Sequence, residues 1–147
     1  MTPDAWFQIC NTIVLPAWLL LIIAPKWKWT TRIVLTGIVL FLCIVYVIGA
    51  VEAIGGGKLD LASFGSLEGV MALFTEPSAV LIGWVHYLAF DLVVGWLIVQ
   101  NAIKHEVSQL LVAPCLILTF MLGPTGFLLY WLIRTIKTRQ FFPQHSS

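Results

Sequence analysis

The sequence predicts an all-α fold: an integral membrane bundle of four transmembrane helices with one short interfacial helix, in a single domain over residues 1–147. Three observations predict it. Of the 147 residues, 60% are hydrophobic and only 10% charged, where a soluble domain carries roughly 45–50% apolar and about 25% charged residues. The apolar residues form continuous runs of the length a helix needs to cross a bilayer, about 20 residues. Tryptophans sit near the ends of those runs, at Trp6, Trp27, Trp29 and Trp131, where aromatic belts meet the headgroups. A soluble fold of this size would leave much of that apolar surface in water. A barrel would need short alternating strands instead of continuous runs.

The first span, 6–24, closes at Pro25 and the basic patch KWKWTTR. The opening MTPDAWFQIC lacks a basic leader region, so this span is expected to be retained and not cleaved as a signal peptide. The second span, 33–53, closes at the glycines Gly55 to Gly57. The connection 54–77 then changes character. Its second half, FGSLEGVMALFTEP, predicts a short helix over 66–74, with Ser66 as N-cap and Glu68 in the first turn. Leu67, Val70, Met71 and Phe74 fall near one face. A helix this short cannot span and belongs in the interface, from where Glu68 can look inward. The third span, 78–103, opens after Pro77, and the fourth, 107–136, ends in basic residues. Pro16, Pro114 and Pro124 are expected to kink their helices, most clearly at GPTG, Gly123 to Gly126, read as a packing bend. With four spans the basic residues tie, and positive-inside counting gives no orientation. Lys26, Lys28, Arg32 and Lys104 lie on one side, and Lys58, Arg134, Lys137 and Arg139 on the other.

Composition excludes several functions. The net charge is +1 and no Lys/Arg-rich run exists to neutralise phosphates, so nucleic acid is not a partner. Cys10, Cys43 and Cys115 lie in apolar segments without a C-x-x-C pair, which reads as core residues, with no disulfide framework and no metal site. No lysine lies in mid-span for a retinal Schiff base. Two-histidine haem ligation needs two deep histidines, whereas His105 and His145 fall in a loop and the tail. His86 and Asp91 are five apart, outside helical ligand spacing. No Gly-rich phosphate loop follows a strand. No cofactor is called for.

The unusual residues lie in GWVHYLAFDLVVGW. At about 1.5 Å per residue, His86 is ~12 Å and Asp91 ~20 Å into the third span. A carboxyl at that depth costs on the order of 2.5–3.5 kcal/mol on insertion, so it should face the bundle and have a partner. With His86 at zero and roughly 100° per residue, Tyr87 falls near 100°, Asp91 near 140°, and Gly83 and Asn101 near 60°. All share one arc, and Tyr87 and Asp91 form an i, i+4 pair. His86 and Asp91 are expected to line one polar pocket with Tyr87, serving acid–base chemistry on an apolar substrate or proton-linked movement; the plainer reading makes them hydrogen-bonding links between helices. Asn11 and the GPTG break would form the pocket's other wall, with Glu68 as a weaker third titratable group. Asn11 reads more simply as glue between helices. Glu52 lies near an interface.

GSLEGVMALF, WVHYLAFDLVVG and APCLILTFMLGPTGFLLY together resemble the neoxanthin-synthase-like family, the plant abscisic-acid-deficient membrane proteins and their bacterial relatives, long catalogued as a domain of unknown function. The resemblance runs from the first span through GPTG, with Trp84, His86, Asp91, Pro114, Cys115, Gly123 and Pro124 at its motif positions. It implies a multi-spanning protein, in a bacterial inner (plasma) membrane or a thylakoid membrane. The plant members are tied to forming neoxanthin from violaxanthin. For this chain the resemblance implies related chemistry on a carotenoid or other isoprenoid.

Opening an epoxide while forming an allene needs an acid for the departing oxygen and a base for a carbon-bound proton, roles that two titratable groups can divide. Trp84, Tyr87, Phe90, Asn11 and Pro124 are the expected substrate-binding residues, and Trp96 reads as lipid-facing filler. The expected partners are membrane lipids, an isoprenoid ligand and further copies of the chain. Two other readings stand beside this one: a non-enzymatic membrane scaffold or assembly partner, and a small proton-coupled carrier with Asp91 as its relay.

Overall fold

The computed structural model describes residues 2–141; His145 lies outside them. Helices are the only regular elements among the described residues. The first, α1 (Pro3–Ile23), starts with Pro at N1, where a missing N–H costs nothing, and Thr2 Oγ1 accepts from the Ala5 N–H (3.4 Å). It ends before Pro25, which disfavours helical backbone in the residue preceding it. A turn follows, in which the Thr30 hydroxyl donates to the Ala24 carbonyl (2.7 Å). The chain returns as a π-helical segment, Arg32–Val39, that runs directly into α2 (Leu40–Gly55). Gly57, at φ +70°, turns it out of the helix.

The connection holds a 3₁₀ turn, Leu61–Gly65, and the short helix α3 (Leu67–Leu73). Ser66 caps α3 by accepting from the Gly69 N–H at 3.1 Å. Pro77 opens α4 (Pro77–Lys104), the longest helix and the centre of the molecule. It runs parallel to α1 and antiparallel to α2. On the α1 side the Trp18 ring seats on Gly95, so closely that a Cβ there would stand 2.6 Å from the ring. On the α2 side Gly49 faces Ile82. The buried residues of α4, among them Val85, Leu88, Leu92, Ile98 and Val99, recur at spacings of three and four over most of its length. Much of the outer surface of α1 and α2 is exposed and apolar, including Leu15, Leu19, Ile44 and Val51.

Three helices are long and apolar enough to cross a membrane: Pro3–Ile23, Arg32–Gly55 and Pro77–Lys104. The stretch expected to form a fourth span, 107–136, is not one helix. It divides into α5 (Gln109–Leu122) and α6 (Pro124–Thr138), which fold back on each other as an antiparallel pair. The cause is local. Gly123 holds φ +43° and ψ −97°, a backbone that L-residues avoid, and Pro124 starts a new helix at its N1 position. Gly126 then lets the two backbones meet: a Cβ there would stand 2.2 Å from the Thr119 nitrogen and 2.3 Å from the Cys115 carbonyl oxygen. GPTG is therefore a reversal, not the packing bend expected of it.

The reversal also moves the C-terminal charges. The Tyr130 hydroxyl donates to Asn101 Oδ1 at 2.6 Å, and Lys137 Nζ donates to the Glu106 carbonyl. Both contacts bring α6 back to the end where α4 finishes and α1 turns. Gln109 Nε2 closes that end by donating to the Ile22 carbonyl (2.9 Å) and the Leu21 carbonyl (3.3 Å), which lie past the reach of the helix's own N–H groups. The expected tie of basic residues does not hold in this arrangement. Lys26, Lys28, Arg32, Lys104, Arg134, Lys137 and Arg139 gather at one end, leaving Lys58 at the other.

Candidate functional site

Helix α4 touches α1, α2, α5 and α6, so its polar residues meet different neighbours according to their angle. His86 faces α2. Its ring stacks on Phe90, one turn along (centroids 4.5 Å apart, planes at 18°), and lies 5.6 Å from the ring of Tyr46. Both His86 and Tyr46 line a cavity of about 310 Å³ enclosed by α2, α4, the 3₁₀ turn and α3. Its other walls are apolar, with Ile82, Phe64, Leu73 and Phe74 prominent. His86 and Tyr46 are the only lining residues with polar side-chain atoms. A volume of this size lies at the lower end of small-ligand pockets, which pair apolar walls with a few polar groups.

Asp91 faces another way. It lies against the tip of the α5–α6 hairpin, where a Cβ on Gly123 would stand 2.9 Å from Oδ1 and 3.1 Å from Oδ2. Oδ2 is buried without a hydrogen-bond partner. Gly123 is also the residue preceding the first turn of α6, so the carboxyl sits at the positive end of that helix. Tyr87, one turn earlier, donates to the Phe120 carbonyl at 3.3 Å, also at the hairpin tip. The Trp84 ring lies tilted against Tyr87 (centroids 5.4 Å apart) and donates through Nε1 to Asn11 Oδ1 at 3.1 Å, while Asn11 Nδ2 donates to the Phe7 carbonyl.

The expected site thus separates into two. Asn11, Trp84, Tyr87, Asp91 and Pro124 are brought together along the α1 face and the hairpin tip. His86 belongs to the cavity beside α2, and Phe90 stacks on its ring without lining that cavity. Asp91 is not among the residues lining the cavity that holds His86, because the arc that carries them is wide enough to meet two neighbours. Glu68 is exposed in the first turn of α3 and is not among the cavity-lining residues. Trp96, read as filler, donates to Thr31 Oγ1 at 3.2 Å and ties α4 to the turn before α2.

Sequence reasoning missed Tyr46, which has no local motif and meets His86 only because α2 runs antiparallel to α4. It also missed Arg134, a buried charge that looked like part of a solvated C-terminal cluster. No group of three or more His, Cys, Asp or Glu able to hold a metal ion occurs among the described residues.

Residues 5–130 match the family described as ABA4-like, ABA DEFICIENT 4-like. No curated protein and no solved structure matches the chain.

Proposed function

The chain belongs to the ABA4-like family, and from that premise we propose that it is an integral membrane protein binding a carotenoid or other isoprenoid and acting on it by acid–base chemistry. The observation that carries this reading is the cavity of about 310 Å³ under α3, apolar except for His86 and Tyr46. It has room for one ring end of an isoprenoid, with the rest of the chain running out along α2 and α4 into lipid. The His86 imidazole has two ring nitrogens, one able to donate a hydrogen and one able to accept it, which is the equipment for handing a proton on. Stacking on Phe90 fixes its ring plane. For an epoxide end group, a proton delivered to oxygen as the C–O bond breaks leaves a hydroxyl. A proton removed from carbon leaves a new double bond. His86 and Tyr46 divide those roles, and the net change is an isomerisation that needs no co-reactant.

The test is a lipid extract from protein purified out of a carotenoid-producing host. The native protein should carry a polyene spectrum. Ile82→Trp, which fills the cavity, should lose it. His86→Gln should keep the pigment and change what becomes of it. Polyene retained in full by Ile82→Trp would place the ligand elsewhere and end this reading.

A proton-coupled carrier is favoured by a different observation. Broken helices whose half-helix N-termini face an anionic substrate group recur in transporters; here the N-terminus of α6 faces the protein's own carboxyl, Asp91. In that reading Asp91 is the relay.

Either reading uses the same placement in the bilayer. At about 1.5 Å per residue α5 reaches only ~21 Å, short of a core ~30 Å thick. We read α5 and α6 as a re-entrant hairpin beside three spans, in place of a fourth span. Seven of the eight Lys and Arg residues then share one side, which the positive-inside rule assigns to the cytoplasm. The N-terminus lies on the opposite side.

A further inference from the structure

We infer that the base of the α5–α6 hairpin is a binding site for a phosphate group carried by an anionic lipid, with Arg134 as its central ligand. Arg134 is 0% exposed. None of its three side-chain nitrogens has a hydrogen-bond partner among the described residues. The next residue, Thr135, also carries a buried hydroxyl without a partner. A guanidinium keeps its charge at any working pH, so it cannot escape burial by losing a proton. An unpaired buried charge is strongly unfavourable. The Trp131 ring, 4.8 Å from the guanidinium carbon, offsets only part of that.

Among the described residues no carboxylate supplies the counter-charge. Asp91 lies at the far tip of the hairpin. Glu106 is exposed, and it is the only acid at this end among the described residues. The neighbours are instead positive. His105 is held below the ordinary imidazole value by its burial and then by the charges of Arg134 and Lys104. The side chain of Lys137, one turn beyond Arg134, reaches the Glu106 carbonyl. A site that gathers this much positive charge suits a phosphate better than a second carboxylate. The planar fork of arginine also matches two phosphate oxygens at once. The depth agrees as well. Trp27, Trp29 and Trp131 lie toward this end, and Lys28 and Arg32 pack on Trp29. Tryptophan belts mark the level at which lipid headgroups lie, and basic pockets between helices on the cytoplasmic side take anionic headgroups.

The experiment compares the native chain with Arg134→Gln and Arg134→Lys in nanodiscs. The discs contain phosphatidylcholine alone or with phosphatidylglycerol, and the readouts are lipid retention by native mass spectrometry and thermal unfolding. The native protein should retain phosphatidylglycerol and unfold at higher temperature in its presence. Arg134→Gln should lose retention by about tenfold or more, and Arg134→Lys should keep part of it. Equal retention by the native protein and Arg134→Gln would overturn the site. Inorganic phosphate and pyrophosphate in phosphatidylcholine discs separate the sources. Protection by them that matches phosphatidylglycerol keeps the phosphate site and assigns it to a soluble ligand; no protection by any of the three overturns it. If Arg134→Gln does not fold, the Lys104→Gln, Lys137→Gln double variant keeps Arg134 and removes its flanking charge. It should weaken phosphatidylglycerol retention measurably, and unchanged retention counts against the site.

Discussion

The carboxyl of Asp91 and the backbone of Gly123 are packed so closely that no side chain fits between them. A Cβ on Gly123 would stand 2.9 Å from Asp91 Oδ1 and 3.4 Å from its carboxyl carbon. The contact joins the middle of the longest helix to the point where the chain reverses. Asp91 thus bears directly on the shape of the hairpin, whatever chemistry it also supports.

Gly123→Ala should therefore destabilise the protein for two separable reasons. A backbone at φ +43° and ψ −97° costs a residue with a Cβ about 1–3 kcal/mol, and crowding the carboxyl adds roughly 1–3 kcal/mol. Only the second part depends on Asp91. Thermal unfolding in detergent should show a lower midpoint for Gly123→Ala, and combining it with Asp91→Ala should recover part of the loss. Strictly additive losses in the double-mutant cycle would show that the two residues do not press on each other.

Gly126→Ala should be worse. Its Cβ would meet the Thr119 nitrogen at 2.2 Å and the Cys115 carbonyl oxygen at 2.3 Å, and backbone cannot swing aside as a side-chain tip can. The cost should reach or exceed the ~1–3 kcal/mol of ordinary overpacking, and it should appear as a parting of α5 from α6. Cys115, fully buried in the native fold, reports on that parting. In a Cys43→Ala background, Gly126→Ala should make Cys115 react with a maleimide much faster. An unchanged rate would mean that the hairpin absorbs the extra methyl without opening.

The boundaries of α1, α2 and α4 were legible because run length, prolines and the glycine triplet mark them directly. Ser66 and Glu68 likewise announced the start of α3. The α5–α6 hairpin was not legible, because thirty apolar residues read the same whether they cross once or turn back halfway. GPTG signalled a break, but the angle of that break depends on the Gly123 backbone and on the close seat of Gly126, neither of which leaves a periodic trace. The site was half legible for a similar reason. A helical wheel puts His86 and Asp91 within about 140° of each other, which looks like one face. On a helix packed by four others, that arc meets α2 at one edge and the hairpin tip at the other. Tyr46 lies 40 positions before His86 in the sequence, and only the antiparallel pairing of α2 with α4 makes them neighbours.

The sharpest test of the architecture is the side of the membrane on which Lys137 emerges. A continuous fourth span would carry it across to join Lys58, whereas the hairpin returns it to Lys104. The hairpin is held by contacts along its whole length: Tyr130 to Asn101, Lys137 to the Glu106 carbonyl, and Gly126 against Cys115 and Thr119. Single cysteines should be placed at 58, 104 and 137 after replacing Cys10, Cys43 and Cys115 with alanine. They can then be labelled with a membrane-impermeant maleimide in vesicles of known orientation. Positions 104 and 137 should label from one side, the cytoplasmic one by the positive-inside rule, and position 58 from the other. Labelling of 58 and 137 from the same side would restore the four-span bundle. It would also divide the basic residues evenly again and leave Arg134 on the wrong side of the membrane from Lys104.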